Sequence, residues 1–181
     1  MIFPTKTITL KNGKTAVLKT AAPEHAAEML ALLKTTAGET DFLLRYPEEW
    51  TLTEEREAEM LRGMAANPSM LPIACFVDGE VAGNSHIAFG QGMKQGHRAS
   101  IGIALAKKYW GLGIGSALME ELIAAAKEHG TEIIELEYIQ GNDRAKRLYE
   151  KYGFKTVAEK PNVIRLKNGT YLSEFYMQKY L

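Results

Sequence analysis

Three glycines at alternating positions, Gly111, Gly113 and Gly115, interrupt the run Ala106-Lys107-Lys108-Tyr109-Trp110-Gly111-Leu112-Gly113-Ile114-Gly115-Ser116. The apolar stretch Ile101 to Leu105 precedes them and an amphipathic stretch, Gly113 to about His129, follows. This order places a glycine-rich turn between a strand and the start of a helix. A helix start presents backbone N–H groups without partners and the positive end of the helix dipole, and glycines remove the side chains that would hold an anion away. The chemistry on offer is therefore anion binding, with a phosphate or pyrophosphate as the natural occupant. A P-loop is ruled out because no Lys follows Gly115. A dinucleotide fingerprint fits poorly: Ser116 holds the position of its last glycine and Ala106 to Trp110 separate the loop from its strand. Glu137 lies at a tolerable distance for a ribose contact, so that reading stays open beside a third, in which the glycines serve close helix packing only.

A second constellation follows, Asn142-Asp143-Arg144-Ala145-Lys146-Arg147-Leu148-Tyr149-Glu150-Lys151-Tyr152-Gly153-Phe154. Asn142 is a good helix N-cap, and Tyr149 shares an apolar helix face with Ala145 and Leu148. Upstream of it, Glu135 and Glu137 share one face of a strand, because strand side chains alternate. The lone Cys75 sits in the apolar run Leu71 to Val77, which favours a buried core residue over the alternative, a nucleophile.

Positioning these groups falls to a chain rich in short elements. Thr5–Leu10 and Thr15–Lys19 read as strands around Lys11-Asn12-Gly13-Lys14, where Asn-Gly would supply the two positive-φ positions of a tight hairpin. Pro23 opens a helix that Gly38 ends. Thr51-x-x-Glu54 reads as the capping box of a second helix, running to about Ala66 and stopped by Asn67-Pro68. Strands follow at Leu71–Val77, then, after a turn at Asp78-Gly79, at Val81–Phe89, and, beyond a glycine-rich loop from Gly90 to Gly96, at His97–Leu105. After the helix that starts at Gly113 come a strand from Thr131 to Ile139, a short helix from Asn142 to Tyr152, a strand from Phe154 to Ala158, and a hairpin of Val163–Leu166 with Tyr171–Met177. Early helices, antiparallel strands in the middle and a late strand-helix-strand-helix-strand unit predict an α/β (α+β) fold: a mixed, mostly antiparallel central sheet flanked by helices.

The glycine loop and the Asn142 block together resemble the GNAT superfamily of N-acetyltransferases. The matching patterns are Arg/Gln-x-x-Gly-x-Gly/Ala, here Trp110 to Gly115, and Asn-x-x-Ala-x-x-Leu-Tyr-x-x-x-Gly-Phe, here Asn142 to Phe154. They cover about residues 97–157 of what reads as a single domain over 1–181. Trp110 departs from the pattern, standing where the family usually has Arg or Gln. The resemblance implies acetyl-CoA as cosubstrate. Its diphosphate would lie on the amides of Gly111, Leu112, Gly113, Ile114, Gly115 and Ser116, with Lys107, Lys108 and Arg144 adding local positive charge. Its pantetheine arm would pair with the backbone of Ile103, Ala104 and Leu105, and Asn142 would touch that arm.

The implied reaction is acyl transfer from the thioester to a primary amine by direct attack. Tyr149 would act as the acid for the leaving sulfur, being protonated at neutral pH with an ordinary pKa of about 10, and the Leu105 N–H would stabilise the oxyanion. Ser100 stands near the place where relatives carry a basic Glu, which leaves Glu137, Glu135, His86, Asp41 and Glu39 as candidates, Glu137 leading. The loop Phe42–Trp50 lies where the family often forms its acceptor pocket; Leu43, Leu44, Tyr46 and Trp50 would supply apolar walls, and Asp41, Glu48 or Glu49 would attract a cationic amine. A non-catalytic acetyl-CoA-binding or sensing module is the alternative.

The charge balance, 22 Lys+Arg against 22 Asp+Glu, argues against nucleic acid as a partner. No apolar run approaches a membrane span or a secretory leader, so the expected location is the cytoplasm. A single Cys excludes a disulfide framework, and no Cys/His cluster has metal-ligand spacing. The expected partner is a small-molecule amine or a protein amino group, and the C-terminal hairpin offers an edge for a homodimer.

Overall fold

The computed structural model describes residues 1–181. Its eight strands are β1 (Lys6–Thr9), β2 (Thr15–Lys19), β3 (Met70–Val77), β4 (Glu80–Phe89), β5 (Arg98–Leu105), β6 (Ile133–Ile139), β7 (Lys155–Arg165) and β8 (Tyr171–Tyr180). They form one sheet in the order β1-β2-β3-β4-β5-β6-β8-β7. Every neighbouring pair is antiparallel except β5–β6, which is parallel because α3 (Ile114–His129) crosses over between them. The other helices are α1 (Ala26–Glu39), α2 (Glu54–Ala66) and α4 (Asp143–Lys151). The mixed, mostly antiparallel sheet with flanking helices is as the element order predicts.

Alternation along the strands divides the core. Ile73, Cys75, Ile87, Ile101, Ile134 and Leu136 join Leu118, Met119 and Leu122 of α3 in the larger cluster. Ala74, Phe76 and Val81 face the other way and meet Met29, Leu32 and Leu61 of α1 and α2. Burying each of the large aliphatic side chains stabilises the fold by roughly 1.5–3 kcal/mol. Cys75 is fully buried, and burial pushes its thiol up to about 12, so it is an inert core residue.

Local differences from the sequence reading have simple causes. The β1–β2 loop is longer than a two-residue hairpin: Gly13 N–H bonds Leu10 O and Leu10 N–H bonds Lys14 O, with only Gly13 left-handed. The expected turn at Asp78–Gly79 does form, and it is the one with positive φ at both positions. The α2 cap is Thr53, whose side chain accepts from the Arg56 N–H, since Thr51 lies two residues outside. The segments read as two strands, Phe154–Ala158 and Val163–Leu166, belong to a single strand, β7, irregular between Lys160 and Ile164. Pro161 lies within that stretch, and an edge strand tolerates its missing N–H. β8 inserts between β6 and β7, so the late strand-helix-strand unit is not a run of adjacent parallel strands.

Candidate active site

Strands β5 and β6 pair only where Arg98–Ser100 faces Ile133–Glu135. Beyond that point Ile101–Leu105 and Leu136–Ile139 part, and a cavity of about 750 Å³ opens there. The register decides which amides it receives. Gly90 N–H bonds Arg98 O and Ala106 N–H bonds Ala82 O, so even-numbered residues of β5 exchange hydrogen bonds with β4. The peptide groups of Ile103 and Leu105 therefore point to the opened edge. Ala104 is committed to Asn84 of β4, and only Ile103 and Leu105 of the three expected residues present backbone to an added strand.

The glycine loop borders the far end of this cavity. Gly111 and Gly113 have φ of 79° and 97°, a left-handed conformation that side-chain-bearing residues rarely adopt. Ala117 N–H makes the first helical bond, to Gly113 O at 3.0 Å, leaving the amides of Ile114, Gly115 and Ser116 without helical acceptors. A Cβ on Gly115 would lie 3.2 Å from Leu148 and 3.5 Å from Leu105, so this glycine permits α3 to approach both α4 and β5. Ile114 is itself fully buried and Leu112 O accepts from Lys11 N–H at 3.0 Å; of the expected loop residues these two do not line the cavity, whereas Gly111, Gly113, Gly115 and Ser116 do. Lys11, Arg144 and Arg147 line the cavity. Lys107 and Lys108, expected to supply charge, do not line it; Lys108 pairs with Glu80. Arg147 was legible as one helical turn from Arg144, whereas no local signal marked Lys11.

Trp110 has a side-chain role of its own. Its indole N–H donates to Leu105 O at 2.9 Å, and the Arg144 guanidinium lies 4.7 Å from the ring centroid. The loop is thereby tied to the end of β5 and to the start of α4. Asn142 caps α4 by accepting from Ala145 N–H at 3.2 Å and also lines the cavity. Tyr149, on the next turns of α4, is 7% exposed and lines the cavity, and burial alone pushes its phenol up to about 12.

The candidate bases separate by environment. Glu135 is held by Arg98 through bonds of 2.9 and 2.5 Å and by Gln178 at 2.8 Å. Burial pushes its pKa up, but bonds to Arg98, Tyr176 and Gln178 outweigh that and bring it down, as in a structural ion pair. Glu137 lines the cavity with its carboxylate 2.7 Å from Lys160 Nζ, which also reaches Glu174 at 2.9 Å. Glu39 accepts from Lys107 N–H, and Asp41 lies in a smaller neighbouring cavity. His86, on β4 opposite Gly102, is half-buried and lines the main cavity; burial lowers its pKa below the ordinary value of about 6.5, so the ring is neutral at pH 7.

The α1–α2 loop closes the cavity on this side. Phe42, Leu43, Leu44 and Trp50 line it, but the acids of the loop do not. Glu48 pairs with Lys167, Glu49 accepts from Tyr46 N–H at 2.7 Å, and the Tyr46 hydroxyl accepts from Lys167 N–H. Arg45 takes their place, so the loop presents a cation where an anion was expected.

The sequence model of the Acetyltransferase (GNAT) family matches residues 36–154. The L-amino acid N-acetyltransferase AaaT of Escherichia coli (strain K12) is 30% identical over 117 residues, which cover 64% of this chain and 72% of that protein. The crystal structure of an acetyltransferase of the GNAT family from Streptococcus pneumoniae superposes with a TM-score of 0.84 at 28% identity, covering 92% of this chain and 99% of that one. The fold is also that of yncA from Salmonella typhimurium, solved with its cofactor acetyl-CoA, with a TM-score of 0.77 at 17% identity over 92% and 94% of the two chains.

Proposed function

From the premise that this chain belongs to the GNAT acetyltransferase family, we propose that it is a single N-acetyltransferase domain moving the acetyl group of acetyl-CoA to a primary amine by direct attack. That it is an acyltransferase follows from the family and from the similar N-acetyltransferase. The observation that carries the finer reading is the parting of β5 and β6. It brings two kinds of unpaired backbone donor, on the opened edge of β5 and on the first turn of α3, to one cavity that also holds Tyr149. A thioester with a diphosphate tail has complementary needs at those two places.

In this reading the amides of Gly111–Ser116 hold the diphosphate, with Lys11, Arg144 and Arg147 around it. Ile103 pairs with the amide-bearing arm, Leu105 continues that edge with its N–H turned to the acetyl group while its carbonyl stays bonded to Trp110, and Asn142 borders the arm. Acetyl-CoA supplies an activated carbonyl. The amine nitrogen forms a bond to that carbon, the Leu105 N–H stabilises the oxyanion, the C–S bond breaks and the thiolate leaves. The proton of the attacking amine goes to His86, the one candidate that lines the cavity, is neutral at pH 7 and has no ion-pair partner. Glu137, the leading candidate from sequence, shares its carboxylate with Lys160 and is the second choice.

Tyr149 donates a hydrogen bond to the leaving sulfur. A phenol near 12 facing a thiol that titrates near 8.5 makes complete proton transfer uphill by about 5 kcal/mol. Stabilisation of the thiolate by the O–H is therefore the stronger role, with water supplying the final proton.

The test is release of free thiol from acetyl-CoA in the presence of a panel of amines, with acetyl-CoA and NAD binding measured in parallel. Thiol release that depends on the amine supports the catalyst. Acetyl-CoA binding without turnover of any amine would point to a sensing module, and NAD binding with no response to acetyl-CoA would remove both.

A further inference from the structure

We propose that the acceptor side of the cavity contains a carboxylate-binding subsite built from Arg45 and Trp50, so that the acceptor is a small amine carrying a carboxylate next to an apolar side chain. The inference rests on the acetyltransferase reading above and names its second substrate.

Two donors without acceptors mark the place. Trp50 lines the cavity, and its indole N–H is closed off from solvent with no hydrogen-bond partner in the chain. Buried N–H groups almost always find an acceptor, and one left without is a standing cost that an arriving acceptor removes. The Arg45 guanidinium lies 4.8 Å from the centroid of the same indole and lines the same cavity. None of the ion pairs of the chain involves it. A carboxylate gives Arg45 its missing partner, its two oxygens matching the planar fork of an arginine already oriented by stacking on the ring, and the covered indole N–H gains an oxygen as the pair adjusts to the ligand.

The remaining charges agree. Glu137 and Glu174, the acids that line the cavity, share Lys160. Glu48 and Glu49 are engaged outside it, with Lys167 and with the Tyr46 backbone. No acid is left for the second ammonium of a polyamine, while Arg45 is left for an anion. Phe42, Leu43 and Leu44 form the wall beside this pair and would take an apolar side chain.

The experiment compares acceptors that share one side chain: leucine, leucinamide and 3-methylbutylamine, with the phosphonic acid analogue of leucine as a further arm, each assayed with acetyl-CoA by thiol release. The α-amine of the amide is the most readily deprotonated of the set, so basicity alone would favour the amide. The expected result is a KM for leucine about 10-fold or more below that for leucinamide and 3-methylbutylamine. Arg45→Met should raise the KM for leucine by about 10- to 100-fold, far more than that for leucinamide, while the KM for acetyl-CoA stays within about twofold. Arg45→Lys should restore part of the preference, and Trp50→Phe, which removes the N–H but keeps an aromatic ring under Arg45, should lose part of it. Equal KM values for acid and amide, or a preference for the acid that survives Arg45→Met, would overturn the subsite with acetyl transfer intact. A preference for the phosphonate over leucine would overturn the carboxylate assignment. Absence of thiol release with every amine would instead strike the acetyltransferase reading on which the subsite rests.

Discussion

The imidazole of His86 lies against the bare Cα of Gly102 on the neighbouring strand, so closely that a methyl group added there would come within 2.8 Å of the ring. The two residues face each other in register on the side of the sheet that carries the α1–α2 loop. The space left by a missing side chain on β5 is what allows the His86 ring on β4 to lie over the strand to which the proposed reaction assigns the thioester.

Gly102→Ala is accordingly expected to push the ring aside and to lower kcat by about 10-fold or more, with the KM for acetyl-CoA little changed. His86→Gln should lower kcat by about 100-fold or more, the usual contribution of a positioned base. Glu137→Gln should leave kcat within about threefold; steady-state kinetics of the three variants side by side checks the assignment.

The pH profile follows from the direction of the His86 shift. A base works when neutral, so kcat should fall on the acid side, with its midpoint below the ordinary histidine value of about 6.5. The linkage to stability has the same sign. Because the folded pKa is depressed, the unfolded chain takes up the proton first, and stability present above about pH 6.5 declines as pH falls towards the folded value. The His86→Gln variant should lack both effects, read by a kcat–pH profile and by denaturant melts between pH 5 and 8.

Tyr149→Phe removes one hydrogen bond to a developing thiolate. Bonds to charged groups contribute roughly 1.5–3 kcal/mol, so kcat should fall about 10- to 100-fold. The ring remains to pack against Phe154, 6.2 Å away between centroids, so affinity for acetyl-CoA should change by less than about threefold. An unchanged kcat would remove the hydroxyl from the reaction.

Lys11 reaches the cavity because its own N–H bonds Leu112 O across the glycine loop. Lys11→Ala should raise the KM for acetyl-CoA by about 3- to 10-fold, and the difference from the unaltered protein should shrink at high salt, as expected for a screened charge on a phosphate. Dissociation constants at two ionic strengths would show it.

Glu57 is a stability test remote from the chemistry. It is 4% exposed, Oε2 has no partner, and burial raises its pKa. The folded state therefore holds its proton more tightly than the unfolded one, and stability declines as pH rises from the ordinary value of about 4.3 through the folded one. Glu57→Gln should gain about 1 kcal/mol or more at pH 7 and nearly nothing at pH 4, measured by urea unfolding at the two pH values.

Much of the fold was open to local reading, because strand alternation, turn dipeptides and caps act over a few residues. Gly113 and Gly130 do bound α3, and Asn142 does cap α4. The errors came where the deciding contact is distant. β7 is one strand despite Pro161 because β8 pairs with it on one edge and nothing requires its N–H on the other. The Arg98 ion pair of Glu135, joining residues 37 apart, removes a carboxylate that alternation alone had placed beside Glu137.

Local sequence was enough to show that residues 101–116 run from a strand through alternating glycines into a helix, and hence that unpaired amides stand ready for an anion; it also placed Tyr149 on a helix face. Those outcomes depend on backbone sterics and on periodicities of a few residues. Which amides of β5 are free was settled by the assembled sheet, because that depends on its register with β4 and on where β6 leaves it. The assembled fold also set the charge that the α1–α2 loop presents, turning Glu48 outward to Lys167, 119 residues away, and leaving Arg45 on the cavity. Charge in a loop carries no period, so its direction is set by whatever partner the completed fold brings within reach.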